Sequence, residues 1–104
     1  MKEYVSVGEI ELTRREYRML KIIIDFMASD LYHQPPSHRY LVDALNKAGE
    51  NIISTEQTMR VAYSLRKKKL LVEPRPSEEI RRNHNLVPTP LALKIMKLKP
   101  VPSD

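Results

Sequence analysis

The chain has 104 residues, 41% of them hydrophobic, which suffices for one core and leaves no room for two full domains. With 0 cysteines and 2 glycines, disulfides, thiolate metal sites, thiol nucleophiles and a glycine-rich phosphate cradle are excluded. The net charge of +5 is unevenly spread: residues 1–54 sum to −1 and residues 55–104 to +6, so the basic excess is C-terminal and points to an oriented polyanion-binding face.

Residues 1–12 hold Val5, Val7, Ile10 and Leu12 in near alternation, the pattern of a short strand or extended arm. No apolar run there or elsewhere is long enough for a signal peptide or a membrane span, so a cytoplasmic protein with no membrane partner is expected. Thr13-Arg14-Arg15-Glu16 fits a capping box and predicts a helix from about Arg14 to Asp30. That helix has two apolar stripes, Tyr17, Leu20, Ile24, Met27 and Leu31 on one side and Met19, Ile22, Ile23 and Phe26 on the other. A central helix buried on two sides explains them best, and a dimer seam is the other reading.

Pro35-Pro36 stops the chain and Ser37 restarts it as the N-cap of a second helix running to Lys47, with Leu41, Ala44 and Leu45 inward and Gly49 at C′. Ser54-Thr55-Glu56-Gln57 is a second capping box, opening a third helix over about 55–69. At about 100° per residue, Met59, Ala62 and Leu65 gather on one side of it, and Arg60, Ser64 and Lys67 lie opposite, flanked by Glu56 and Gln57. Leu70–Pro74 and Asn85–Pro88 read as paired strands around an exposed loop rich in Arg. Pro90 then begins a short last helix, and residues 100–104 are expected to be a flexible tail.

The order is helix, helix, helix, strand, loop, strand, helix. This is the layout of a winged helix-turn-helix: mainly α with a small β-hairpin, a three-helix core, a wing over about 70–88 and an extra C-terminal helix, all within residues 13–99. A major groove admits one α-helix. The third helix offers Gln57, Arg60, Ser64 and Lys67 as donors for base edges, and Arg and Gln pair bidentately with guanine and adenine. Ser54, Thr55 and the N–H groups of the first turn suit a phosphate. Arg66 to Lys69, Lys68 among them, form a charge block at the other end, and Arg75, Arg81, Arg82 and His84 are placed to reach the backbone or minor groove from the wing. Taken singly, the block also reads as a basic last turn answering the helix dipole, and Arg81-Arg82 as partners of Glu78 and Glu79.

Three stretches carry a family resemblance. LTRREYRML (Leu12–Leu20), RYLVDAL (Arg39–Leu45) and STEQTMRVAYSLRKKKL (Ser54–Leu70) resemble the three helices of winged-helix effector domains of the OmpR/PhoB kind. LTRRE followed by PPSHRYLVDAL, with Ser37 and Arg39 at the start of the second helix, also resembles the LexA-type DNA-binding domain. The resemblance covers about residues 12–75 and implies that the helix holding Thr58, Arg60, Val61 and Ser64 enters the major groove with the wing alongside. Beyond the wing, NLVPTPLALKIMK adds proline and a further helix, and the chain is expected to act as a stand-alone winged helix.

His33, His38 and His84 share no helix face, so neither a metal site nor a nucleophilic constellation is expected, and no cofactor or enzyme activity. The expected function is sequence-specific binding of double-stranded DNA as a transcription regulator, with a homodimer as a further expectation. The competing readings are a protein-interaction module on the transcription or replication machinery, and a replication initiator.

Overall fold

A computed structural model describes residues 4–30, 34–73, 86–97 and 101–103. The N-terminal segment is a hairpin, where a single strand or arm was expected. Strand β1 (Tyr4–Val7) turns through Gly8-Glu9 into β2 (Ile10–Thr13), with Val7 opposite Ile10. Gly8 has φ 65 at the first central position, a conformation that a residue with a Cβ resists and that two-residue hairpin turns require.

Thr13 ends β2 and caps the next helix, α1 (Arg14–Ser29). The capping box is complete: Thr13 Oγ1 accepts from the Glu16 N–H at 3.0 Å, and Glu16 Oε1 accepts from the Thr13 N–H at 2.8 Å. Helix α2 (His38–Lys47) starts at Ser37, whose hydroxyl accepts from the Tyr40 N–H at 3.1 Å. It ends in a Schellman motif: the Glu50 N–H reaches the Leu45 carbonyl, the Gly49 N–H reaches that of Asn46, and Gly49 sits at φ 98. Residues 48–54 then lead to α3 (Thr55–Lys67). Asn46 holds this connector, its side-chain amide donating to the Ile52 carbonyl at 2.9 Å and accepting from the Ile52 N–H at 2.7 Å.

Helix α3 stops earlier than expected, in a second Schellman motif whose C′ residue is Lys69 at φ 64. The Leu70 N–H bonds the Leu65 carbonyl at 3.0 Å and the Lys69 N–H that of Arg66 at 2.9 Å, while both leucines are fully buried. Strands β3 (Leu71–Val72) and β4 (Val87–Pro88) pair antiparallel as a short hairpin stem. Thr89 ties the stem to α3 and starts the next helix. Its hydroxyl donates to the Lys69 carbonyl at 2.8 Å and accepts from the Ala92 N–H at 3.1 Å, capping α4 (Pro90–Ile95).

The expected tail also differs. Val101–Ser103 forms strand β5, antiparallel to β1, so the N-terminal sheet has the order β2-β1-β5. Pro102 lies on this edge strand, the position where a missing N–H costs least.

The molecule is therefore mainly helical, with two small antiparallel sheets. Helices α1, α2 and α3 pack on one another around Met19, Leu20, Ile23, Leu41, Leu45, Ala62 and Leu65. Val7 and Leu12 close the core from the first sheet, and Leu71, Ala92 and Ile95 close it from the second sheet and α4. Helix α1 buries Met19, Leu20 and Ile23, which come from both expected stripes, and half-buries Tyr17, Ile22, Ile24, Phe26 and Met27. Leu31 lies outside the described residues. Among the described residues, no helix is long and apolar enough to cross a membrane.

The two helix ends give a paired prediction. A Cβ at Gly49 would meet only an Arg18 nitrogen at 4.0 Å, so Gly49→Ala pays for backbone conformation and not for a clash. It should lose about 1 kcal/mol, and Lys69→Gly should gain roughly 0.5–1 kcal/mol. Urea unfolding checks both, through opposite shifts of the midpoint at unchanged slope.

Candidate nucleic-acid interface

The face that α3 presents follows from what its inner side touches. Thr58 and Leu65 are fully buried and Ala62 nearly so. Glu56, Arg60, Tyr63 and Lys67, which succeed one another at helical spacing on the opposite side, are all exposed. Compared with the arc expected from the sequence, centred on Arg60, Ser64 and Lys67, the helix is rolled by about 30° at 100° per residue. The roll brings Tyr63 outward, and turns Ser64 toward α1. Met59, expected inside, is 42% exposed.

A buried carboxylate accounts for the roll. Glu16, only 3% exposed, receives the Ser64 hydroxyl on Oε2 at 2.6 Å and the Lys68 ammonium on Oε1 at 2.8 Å, besides the Thr13 N–H. Burial pushes its carboxyl pKa up, but the bonds from Lys68, Ser64 and Thr13 outweigh this and hold it below the ordinary value. Lys68 also donates to the Glu11 carbonyl at 3.1 Å. Ser64 and Lys68, both expected to contact nucleic acid, thus serve to fasten α3 to the start of α1.

Thr58 is a second departure. Its hydroxyl is fully buried and donates its one proton to the Thr55 carbonyl at 2.7 Å. The His38 Nδ1, 2.9 Å away, must then be the donor in the other bond, which places a proton on Nδ1. Burial lowers the His38 pKa and favours the neutral ring. The contact joins the first turns of α2 and α3 and withdraws Thr58 from any groove. Gln57 is half-buried and accepts from the Ile53 and Ser54 N–H groups at 2.7 and 3.3 Å, so its side-chain oxygen caps the helix.

The cations sort into two groups. Arg15 and Arg18 fork onto Glu50, which is 13% exposed, with Arg15 Nε at 2.8 Å. Burial raises the Glu50 carboxyl pKa and the two guanidiniums more than reverse it, leaving it lowered. Arg66 meets Glu73 at 3.1 Å on the surface, a pair of little energetic weight. Arg39, Arg60 and Lys67 are exposed and make no ion pair among the described residues. Thr55 is exposed, Ser54 is half-buried, and Ser37 is exposed but engaged as a cap. Arg75, Arg81, Arg82 and His84, expected on the loop between β3 and β4, lie outside the described residues, as does His33.

Among the sequence-predicted residues, Arg60 and Lys67 therefore share one outer face with Glu56, expected to flank it, and with Tyr63 and Met59, which the sequence does not mark as site residues; Thr55 is exposed at the first turn, nearer the side of Thr58. Tyr63 lies at the edge of the arc expected from the sequence, and its largely apolar ring carries no polar signal there. Among the described residues no cluster of His, Cys, Asp or Glu could hold a metal ion. No family model, curated protein or solved structure matches this chain.

Both buried polar contacts titrate. Glu16→Gln should cost about 2–3 kcal/mol at neutral pH, since it unpairs Lys68 in a partly buried site. Because the folded-state pKa of Glu16 is depressed, its contribution is complete above the ordinary carboxylate value and is lost as pH falls from there through the lowered folded-state value. The gap between the variant and the parent, measured by denaturant unfolding, should therefore narrow with acid. His38 acts at a higher pH. Its depressed pKa means that the unfolded chain binds the extra proton first, so stability declines as pH falls below the ordinary imidazole value. In His38→Gln, thermal midpoints between neutrality and pH 5 should lose that part of the slope.

Proposed function

We propose that the chain is a sequence-specific double-stranded-DNA-binding transcription regulator of the winged helix-turn-helix type, with α3 in the major groove and the β3–β4 hairpin as the stem of its wing. The observation that carries this reading is the outer arc of α3. It bears Arg60 and Lys67 without ion-pair partners among the described residues, while the cations Arg15, Arg18 and Lys68 are paired with buried or half-buried carboxylates. A helix whose inner side is anchored by Leu65, Ala62 and Thr58 and whose outer side is cationic meets the two demands of groove entry, a fixed angle and polar readers. Arg39 on α2 adds a cation for the phosphate backbone, and Thr55 with the first-turn N–H groups of α3 adds donors for one. The basic sequence between β3 and β4, with Arg75, Arg81, Arg82 and His84, suits the adjoining backbone or minor groove. Two copies on one duplex would read half-sites about one helical turn apart.

A second reading, a protein-interaction module on the transcription or replication machinery, draws on Ile53. This side chain precedes α3 and is 82% exposed, an apolar group that a protein surface would cover.

A gel shift at near-physiological salt with random duplex competitor separates the two. The regulator reading expects a retained specific complex whose affinity falls steeply with salt, through counterion release. Arg60→Ala should relax discrimination at one base position by about 1–3 kcal/mol, and Lys67→Ala should weaken all duplexes alike and reduce the salt slope by about 1. Unchanged site preference in Arg60→Ala would remove α3 from the groove.

A further inference from the structure

The outer arc of α3 is not uniformly polar. Tyr63 is 57% exposed and stands between Arg60 and Lys67, and Met59, one turn before it, is 42% exposed. Neither side chain is needed by the core, which Thr58, Ala62 and Leu65 complete from the opposite side of the helix. The parts of this ring and thioether that face water gain nothing from the core. They gain only when another apolar surface covers them.

We propose that Tyr63 and Met59 read thymine through its 5-methyl group. The inference rests on the DNA-binding reading above and adds to it the base that the middle of the helix selects. Among the base edges of the major groove, the thymine methyl is the apolar group, and every other feature there is a donor or an acceptor. A ring flanked by two cations matches that pattern: Arg60 and Lys67 engage polar edges or phosphates while Tyr63 covers a methyl. Met59 and Tyr63 lie about 6 Å apart along the helix axis. That distance spans about two base-pair steps of roughly 3.4 Å, so the pair reaches one or two thymines in each half-site. Glu56, one turn before Arg60 on the same arc, is an acceptor suited to the cytosine amino group and disfavours an acceptor edge at its own position.

The test uses the full chain and a duplex taken from a random-library selection at near-physiological salt. Each thymine of that duplex is replaced singly by deoxyuridine, which deletes the methyl and leaves the pairing intact. The parent protein should bind roughly fourfold more weakly for each contacted methyl removed, at one or two positions per half-site. The Met59→Ala, Tyr63→Ala double variant should bind the thymine and uracil duplexes alike. Both positions are exposed, so its thermal midpoint should stay near the parent's, which a parallel melt confirms. If the parent binds both duplexes equally at every position, the thymine assignment is overturned and the DNA-binding reading stands. If the double variant still separates the two duplexes, the methyl is read by other residues and the assignment to this pair is overturned. If selection returns no duplex, the DNA-binding reading falls and the inference falls with it, leaving an apolar protein surface as the partner of this face.

Discussion

The carboxylate of Glu16 sets the geometry on which the outer face depends. It is one buried group with four roles: it completes the cap of α1, takes the hydroxyl of Ser64, neutralises Lys68, and by these bonds fixes how far α3 is rotated about its own axis. A buried carboxylate is tolerable only when its oxygens are satisfied, so its partners have little choice of position. Apolar packing alone would leave the roll of α3 loosely determined, because Val61, Leu65, Ala62 and Met59 form a broad apolar sector. The polar bonds select one rotation from within it. That rotation decides which side chains a partner molecule would meet.

Similar clamps surround the three-helix unit at its other joints. His38 and Thr58 join the starts of α2 and α3, Asn46 grips the backbone of Ile52 in the connector, and Glu50 ties that connector to two arginines one turn apart on α1. Each joint is a directional contact, local at Asn46 and between segments distant in sequence at His38 and Glu50, while the leucine-rich core supplies undirected attraction. Among the described residues no buried side-chain donor or acceptor is left without a partner. The core holds the helices together, and the polar joints determine the angle at which they meet.

Much of the local structure was legible in the sequence because it is encoded within a few residues. Thr13 with Glu16, Ser37, Gly49 and Pro90 announce helix ends through short-range bonds and backbone preferences, and these ends fall where expected. The N-terminal hairpin escaped because Gly8-Glu9 interrupts the alternation of Val5, Val7, Ile10 and Leu12 by only two residues, leaving the apolar pattern nearly continuous. Strand β5 escaped because its pairing with β1 joins the two ends of the chain, and a short segment with Pro102 carries no local strand signal. The end of α3 was placed late because Lys69 occupies a left-handed C′ position that glycine usually marks. The site was legible in outline and displaced in detail. Arg60 and Lys67 point outward on periodicity alone, but Thr58, Ser64 and Lys68 turn inward to partners 20 to 57 residues away in the sequence, and no local pattern encodes such a partner.

The same separation divides the residues of α3 into two classes with different constraints. Thr58, Ser64, Leu65 and Lys68 answer to α1 and α2, and a change at any of them alters the packing of the helix before it alters what the helix touches. Glu56, Met59, Arg60, Tyr63 and Lys67 answer to no partner in the core, so their chemistry can be exchanged at little cost in stability. A scaffold built in this way fixes the angle of a helix through one set of side chains and leaves the other set open to define a ligand. The basic half of the chain fits that division, because its positive charge is partly consumed in holding α3 in place and only the remainder faces outward. The excess charge of residues 55–104 therefore overstates the positive potential at this face, because Glu16 from the other half cancels Lys68. The identity of the few outward side chains, a glutamate, a tyrosine and two cations in one line, is what distinguishes it from any other basic helix.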